Sequence, residues 1–167
     1  MRLANTNLDE IIEYINKVAI ALSTSQEVVS LITNDPATPP EDVDLIGSHI
    51  FDYDYVDDTT VETSAFICLD VEIPRVQNEN IKDIELKVFI ICHKNYMRLD
   101  SKVFKGRRGN RRDNLSREID ALLQGNKSFG IGKLNLEAFD TITVPPRYTG
   151  KMLRYNVSDF NIRRDRR

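Results

Sequence analysis

The chain lacks any run of about twenty apolar residues, the length a helix needs to cross a bilayer, and so no membrane partner is expected. Its N-terminus, MRLANTNLDE, has no uninterrupted apolar stretch of the secretory type, and the protein is expected to be made and kept in a cytoplasm. Cysteine is scarce. Cys68 and Cys92 each sit inside an apolar run, which points to buried reduced thiols rather than a disulfide or a metal pair. Cys92 adjoins His93, but neighbours on a strand face opposite ways and cannot share an ion. The only histidines, His49 and His93, have no serine or cysteine nucleophile in a recognisable local motif, so acyl-transfer chemistry is not expected and His93 reads as structural. No internal repeat is present, no cofactor is implied, and 167 residues with 41% hydrophobic content fit a single domain spanning 1–167.

What the chain does have is charge, unevenly placed. Residues 1–90 hold eighteen Asp/Glu against five Lys/Arg, a net of −13, whereas residues 91–167 hold eight against eighteen, a net of +10, which together give the overall −3. Surfaces of opposite sign on one subunit suit heterologous contacts between copies, which build rings or helical stacks. Self-association is therefore expected, against the plainer reading of solvated surface charge.

Leu8, Ile11, Ile12, Ile15, Val18, Ala19 and Leu22 recur at helical spacing, with Asn7 and Glu10 placed as a capping box. A second short helix is predicted over 25–33, ended before Pro36. Residues 34–60 then read as a long extended arm carrying Asp52, Asp54, Asp57 and Asp58 among apolar and aromatic anchors. The period changes to two over 61–73 and again over 84–92, predicting neighbouring strands joined by a polar loop, Pro74–Asp83. The middles of these strands are apolar on both faces, so a cover is expected on each, with the helices available for it. Residues 98–112 hold seven basic side chains and one acid, include the run KGRRGNRR, and read as a mobile basic loop. Leu115, Ile119, Leu122 and Leu123 predict a helix closing at Gly125, followed by strands over 129–139 and 151–157 and a frayed basic tail, 161–167. The expected class is α+β: a small mixed or antiparallel sheet of about four strands, flanked by the N-terminal helix and the helix after the basic loop.

Three constellations could carry chemistry. Asp70, followed by Glu85 and Lys87, resembles the metal-binding core of the PD-(D/E)xK nucleases, in which carboxylates hold a divalent ion and lysine stabilises developing charge. The proline before the first acid is missing, and Asp70, Glu72, Glu85 and Lys87 read rather as the wet ends of a half-covered sheet, so no metal-dependent nuclease activity is expected. The stretch GNKSFGIG, 125–132, follows a helix and enters a strand, the reverse of a phosphate-binding loop, and reads as a turn. Arg107, Arg108, Arg111 and Arg112 could contact phosphates of DNA without reading its sequence, since no aromatic is interleaved, or meet the Asp52–Asp58 acids of a neighbouring copy.

The run RRDNLSREIDALLQG and its continuation NKSFGIGKLNLEAF resemble the tail-terminator proteins of long-tailed bacteriophages, where a charged loop also leads into a short amphipathic helix that returns to a strand pair. The order of N-terminal helix, long connection and two strands agrees. The resemblance implies a structural, non-enzymatic virion protein: a ring, usually hexameric, that ends the tail tube and joins it to the head-side connector. Its implied partners are further copies of itself, the tail-tube protein, the connector protein and, through the basic loop, genomic DNA. A related role as head-closure or tail-tube subunit is the neighbouring possibility.

Overall fold

The computed structural model describes residues 8–78, 81–129 and 132–157, with side chains left aside at 74–78 and 81–83. The elements in chain order are α1 (Asp9–Ser23), α2 (Gln26–Thr33), a 3-10 turn at Pro40–Asp42, β1 (Ile50–Phe51), β2 (Ala65–Asn78), β3 (Ile81–His93), a second 3-10 turn at Lys94–Tyr96, α3 (Arg111–Leu123), β4 (Leu134–Ile142) and β5 (Tyr148–Val157). The strands form one mixed sheet in the order β1-β2-β3-β5-β4, an α+β fold in which only β1 and β2 run parallel. The fifth strand beyond the four expected is the two-residue β1, contributed by the arm.

Helical spacing places Tyr14, Val18, Ala19 and Leu22 of α1 on one buried stripe. The predicted capping box rests on Asn7, which lies outside the described residues; α1 begins after Leu8, which makes no side-chain cap. In α2 the Ser25 hydroxyl accepts the Val28 N–H, and five consecutive residues, Val28 to Ile32, are buried, so this short helix is enclosed rather than amphipathic. The stripe Leu115, Ile119 and Leu123 of α3 is fully buried, and Gly125 follows it at φ +73° with its N–H donated to Leu134 O.

Where polar composition predicted a loop over 74–83, the strands continue. β2 and β3 pair as far as Asn78 and Ile81, and Pro74 falls in the register shift between Glu72 and Arg75, a position where its missing donor is tolerated. Two other boundaries move as well. β4 starts at Leu134 rather than Phe129, whose ring packs edge-on at 6.1 Å from Tyr14 and anchors the connection, while β5 starts three residues early, at Tyr148. The tail 161–167 lies outside the described residues.

The sheet separates two apolar clusters. Ile67, Leu69, Leu86, Val88 and Ile90 face all three helices in the main core. Phe66, Cys68, Phe89 and Ile91 face the other way and pack with Phe51, Tyr55, Val56 and Tyr148. Both covers were expected to be helical; the second is the arm. Helices occupy one face because α1, α2 and α3 pack on each other as well as on the sheet, and the arm's alternating aromatics fill the face that remains. Gly150 closes this side, since a Cβ there would stand 2.6 Å from Ile142 Cγ1 and 2.8 Å from Val144 Cγ1.

Candidate functional site

The acidic arm lies against the outer face of the sheet. The Phe51 and Tyr55 rings stack at 4.0 Å, Tyr55 sits 5.2 Å from Phe66, and Phe66 meets Tyr148 at 6.2 Å and His49 at 5.8 Å. The Tyr55 hydroxyl donates to Glu62 Oε1 at 2.7 Å and the Tyr148 hydroxyl to Glu62 O at 2.8 Å, fixing both ends of the cover. With the rings turned inward, Asp52, Asp54, Asp57 and Asp58 all point to solvent. Asp57 also shapes its own turn: its Oδ1 accepts from the Thr59 hydroxyl and N–H, and these bonds to the charged form hold its carboxyl below the ordinary range.

The basic loop lies on the helical side of the same sheet, anchored by buried Leu99 and Phe104. Its arginines differ sharply. Arg111, at 2% exposure, is enclosed: Nε donates to Tyr96 O at 2.7 Å, Nη1 to Leu31 O at 2.5 Å and Nη2 to Asn34 Oδ1 at 2.7 Å, with the guanidinium 3.8 Å above the Tyr96 ring. Together with the Tyr96 hydroxyl on Ile32 O, it satisfies carbonyls orphaned at the C-terminus of α2 and places a cation at the negative end of that helix. Burial pulls the guanidinium below its ordinary value, against an upward pull from Tyr96 and Cys92. Arg111 therefore has no surface to offer DNA or a neighbour.

Arg107 pairs with Glu27 of α2 and, at 3.2 Å, with Glu118 of α3, so acidic and basic halves meet here within one subunit. Arg112 reaches Thr149 Oγ1 at 3.0 Å and Asp113 at 3.1 Å. Only Arg108 of the four stands exposed, in an open cleft it lines with Lys105, Gly106, Arg107 and Arg117. The loop was expected to lack internal order; Phe104 and Arg111 supply it, and Asn114 holds Arg108 O at 2.8 Å from inside α3.

Asp70, Glu85 and Lys87 do share the outer face: Asp70 stands opposite Lys87, and Glu72 opposite Glu85. Lys87 Nζ lies 3.0 Å from Glu72 and 3.7 Å from Glu85, and the hydrogen bond it donates to Glu72, above all, raises its pKa. The lysine is thus engaged by Glu72 and, more loosely, by Glu85, and of the two candidate metal carboxylates it pairs with Glu85 and not with Asp70. Among the described residues no group of three His, Cys, Asp or Glu side chains could hold a metal ion. Cys68 and Cys92 are buried free thiols on opposite faces, and burial pushes Cys92 up to about 12. His93 is buried, accepts the Asn95 N–H and packs edge-on against Tyr148.

Sequence reasoning missed the aromatic cover as a unit, although Phe51, Tyr53 and Tyr55 alternate with acids in plain sight. It also missed Gly150, for which a lone glycine within a strand was the available signal. No helix among the described residues is long and apolar enough to cross a membrane. Comparison with curated protein sequences gives no match. The YomW family model, by contrast, matches residues 25–157, from the cap of α2 to the end of β5, and so takes in the arm, the basic loop and every strand of the sheet. The chain belongs to the YomW family and is a phage-related protein.

Proposed function

We propose that this protein is a structural, non-catalytic virion subunit that forms a ring at the head-proximal end of a phage tail, ending the tail tube and joining it to the head-side connector. The observation that carries the reading is the sorting of charge by the fold. Asp52, Asp54, Asp57 and Asp58 stand exposed on the arm over one face of the sheet, and Lys105, Arg108 and Arg117 stand exposed on the side of the opposite face. A subunit with an acidic and a basic side meets different neighbours on each, as a ring seated between two other assemblies requires, and such complementarity steers and orients association. The topology that resembles tail terminators and the phage-related family agree with this. The ion pairs of Lys87 favour a solvated sheet end over a nuclease centre.

The test is the mass of the particle formed by the concentrated protein and by the protein in assembled tails. A closed oligomer is expected, forming more slowly as salt rises or when the four arm aspartates are replaced by Asn. A strict monomer in both settings overturns the ring.

A further inference from the structure

Resting on the ring reading, we propose that neighbouring copies join by strand addition: the free edge of β4 in one copy pairs antiparallel with the free edge of β2 in the next, so that the sheet runs on from subunit to subunit.

Both outer strands of this sheet are only half covered. β1 pairs with β2 at Ile67 and Cys68 alone, and among the described residues no strand lies on that side of β2 from Val71 onward. At the other side, the Leu134 N–H donates to Asn126 O and the Leu136 N–H to Gln124 Oε1, but over 138–142, among the described residues, the strand partner of β4 is β5 alone. Free rows of N–H and C=O are templates for another strand, and two short stretches stay open to one: residues 71–73, before the register shift that holds Pro74, and residues 139–141, after the shift that precedes Ala138.

The two edges match in four respects. Ile67 donates its N–H to His49 O, away from β3, so by strand alternation Val71 also aims outward, and Ile73 follows it at the start of the register shift. Leu136 donates away from β5, and after the register shift before Ala138 the outward residues are Phe139 and Thr141. All four side chains lie on the helical face: Phe139 is opposite Leu153, Thr141 opposite Lys151 and in the row of Ile90, Val71 opposite Leu86, with Ile73 two residues on. Pairing these edges therefore keeps helical face beside helical face, and sets the 46%-exposed Phe139 against half-buried Val71 and Ile73.

Direction agrees as well. Each step from β2 through β3 and β5 to β4 is antiparallel, so β4 runs opposite to β2 and the next copy is added in the same orientation. That is a head-to-tail contact, the kind that closes rings, whereas a two-fold dimer would join like edges. Finally, Phe139 and Thr141 lie in the rows of Leu69 and Ile67 of their own subunit, so placing them opposite the next copy's Ile73 and Val71 shifts the register by four residues per copy. A constant stagger of this kind is what a sheet needs in order to close on itself.

The test uses the double variant Val71→Cys with Thr141→Cys in the full chain. Within one copy these positions lie three strand spacings apart, roughly 14 Å, beyond disulfide reach. Oxidation should give a ladder of cross-linked oligomers ending at the ring, as should Ile73→Cys with Phe139→Cys, while Asp70→Cys with Thr141→Cys should not. A second variant, Thr141→Pro, removes one outward donor and leaves the β4–β5 ladder whole; it should melt cooperatively yet associate at least about tenfold more weakly. Wild-type oligomers with no cross-link from either outward pair overturn the edge contact and leave the ring standing, and so does wild-type association of folded Thr141→Pro. If that variant does not fold, the cross-links decide.

Discussion

The acidic arm and the basic loop are alike as sequence, each a run of like charge with prolines or glycines, and the fold treats their charges in opposite ways. On the arm Phe51 and Tyr55 turn inward, Tyr53 stays 58% exposed, and all four aspartates stay in water. In the loop Arg111 is buried, Arg107 and Arg112 are paired with other elements, and Arg98 and Arg108 stand exposed. The difference follows from side-chain reach. An aspartate is short and acceptor-only, so on a segment lying over an apolar face it can only point away, whereas a guanidinium on a long stem carries five donors and can gather carbonyls from several elements at once. A run of arginines is thus a poor guide to free surface charge, and a run of aspartates a better one.

The comparison breaks first at Arg111. Its replacement by Met leaves Leu31 O, Tyr96 O and Asn34 Oδ1 without their donor and should destabilise the protein by about 3 kcal/mol or more, measured by denaturant unfolding. Lysine should not rescue it, because one ammonium cannot satisfy three acceptors set around a planar fork. Equal stability of Arg111→Lys and the native protein would show that charge alone, and not the fork, holds the loop. Phe51→Ala should come next, at about 2–4 kcal/mol, since Phe51 is 4% exposed and joins the arm's rings to Phe66. Limited proteolysis should then cut within residues 52–60 while α3 stays protected; cleavage in the basic loop first would mean that the two segments do not fold independently.

The smallest effect concerns His49, stacked on Phe66 with Ser48 Oγ at 3.0 Å from its Nδ1. Burial holds its imidazole below the ordinary value near 6.5, against a weaker upward pull from Glu62. Because the folded state takes up the proton less readily than the unfolded chain, His49 opposes folding only as pH falls below about 6.5, and has no such effect above it. Melting temperatures of His49→Gln and the native protein should therefore stay parallel above that pH, with the variant falling less steeply below it. Parallel curves throughout would assign the acid response to the arm carboxylates instead.

Hydrophobic period alone determined much of this protein: the buried stripes of α1 and α3, the pairing of β2 with β3, the α+β class and the buried thiols, because each depends on residues close in the chain facing one way. Charge counts likewise marked the arm and the loop. Only the tertiary structure decided that the arm, and not a helix, covers the second face of the sheet, that Arg111 caps α2 from 80 residues away, and that among the described residues β2 and β4 each keep a stretch of edge with no strand beside it. These depend on which elements become neighbours. A side chain's partner, and a strand's lack of one, is set by packing between segments distant in sequence, and local pattern carries no record of it.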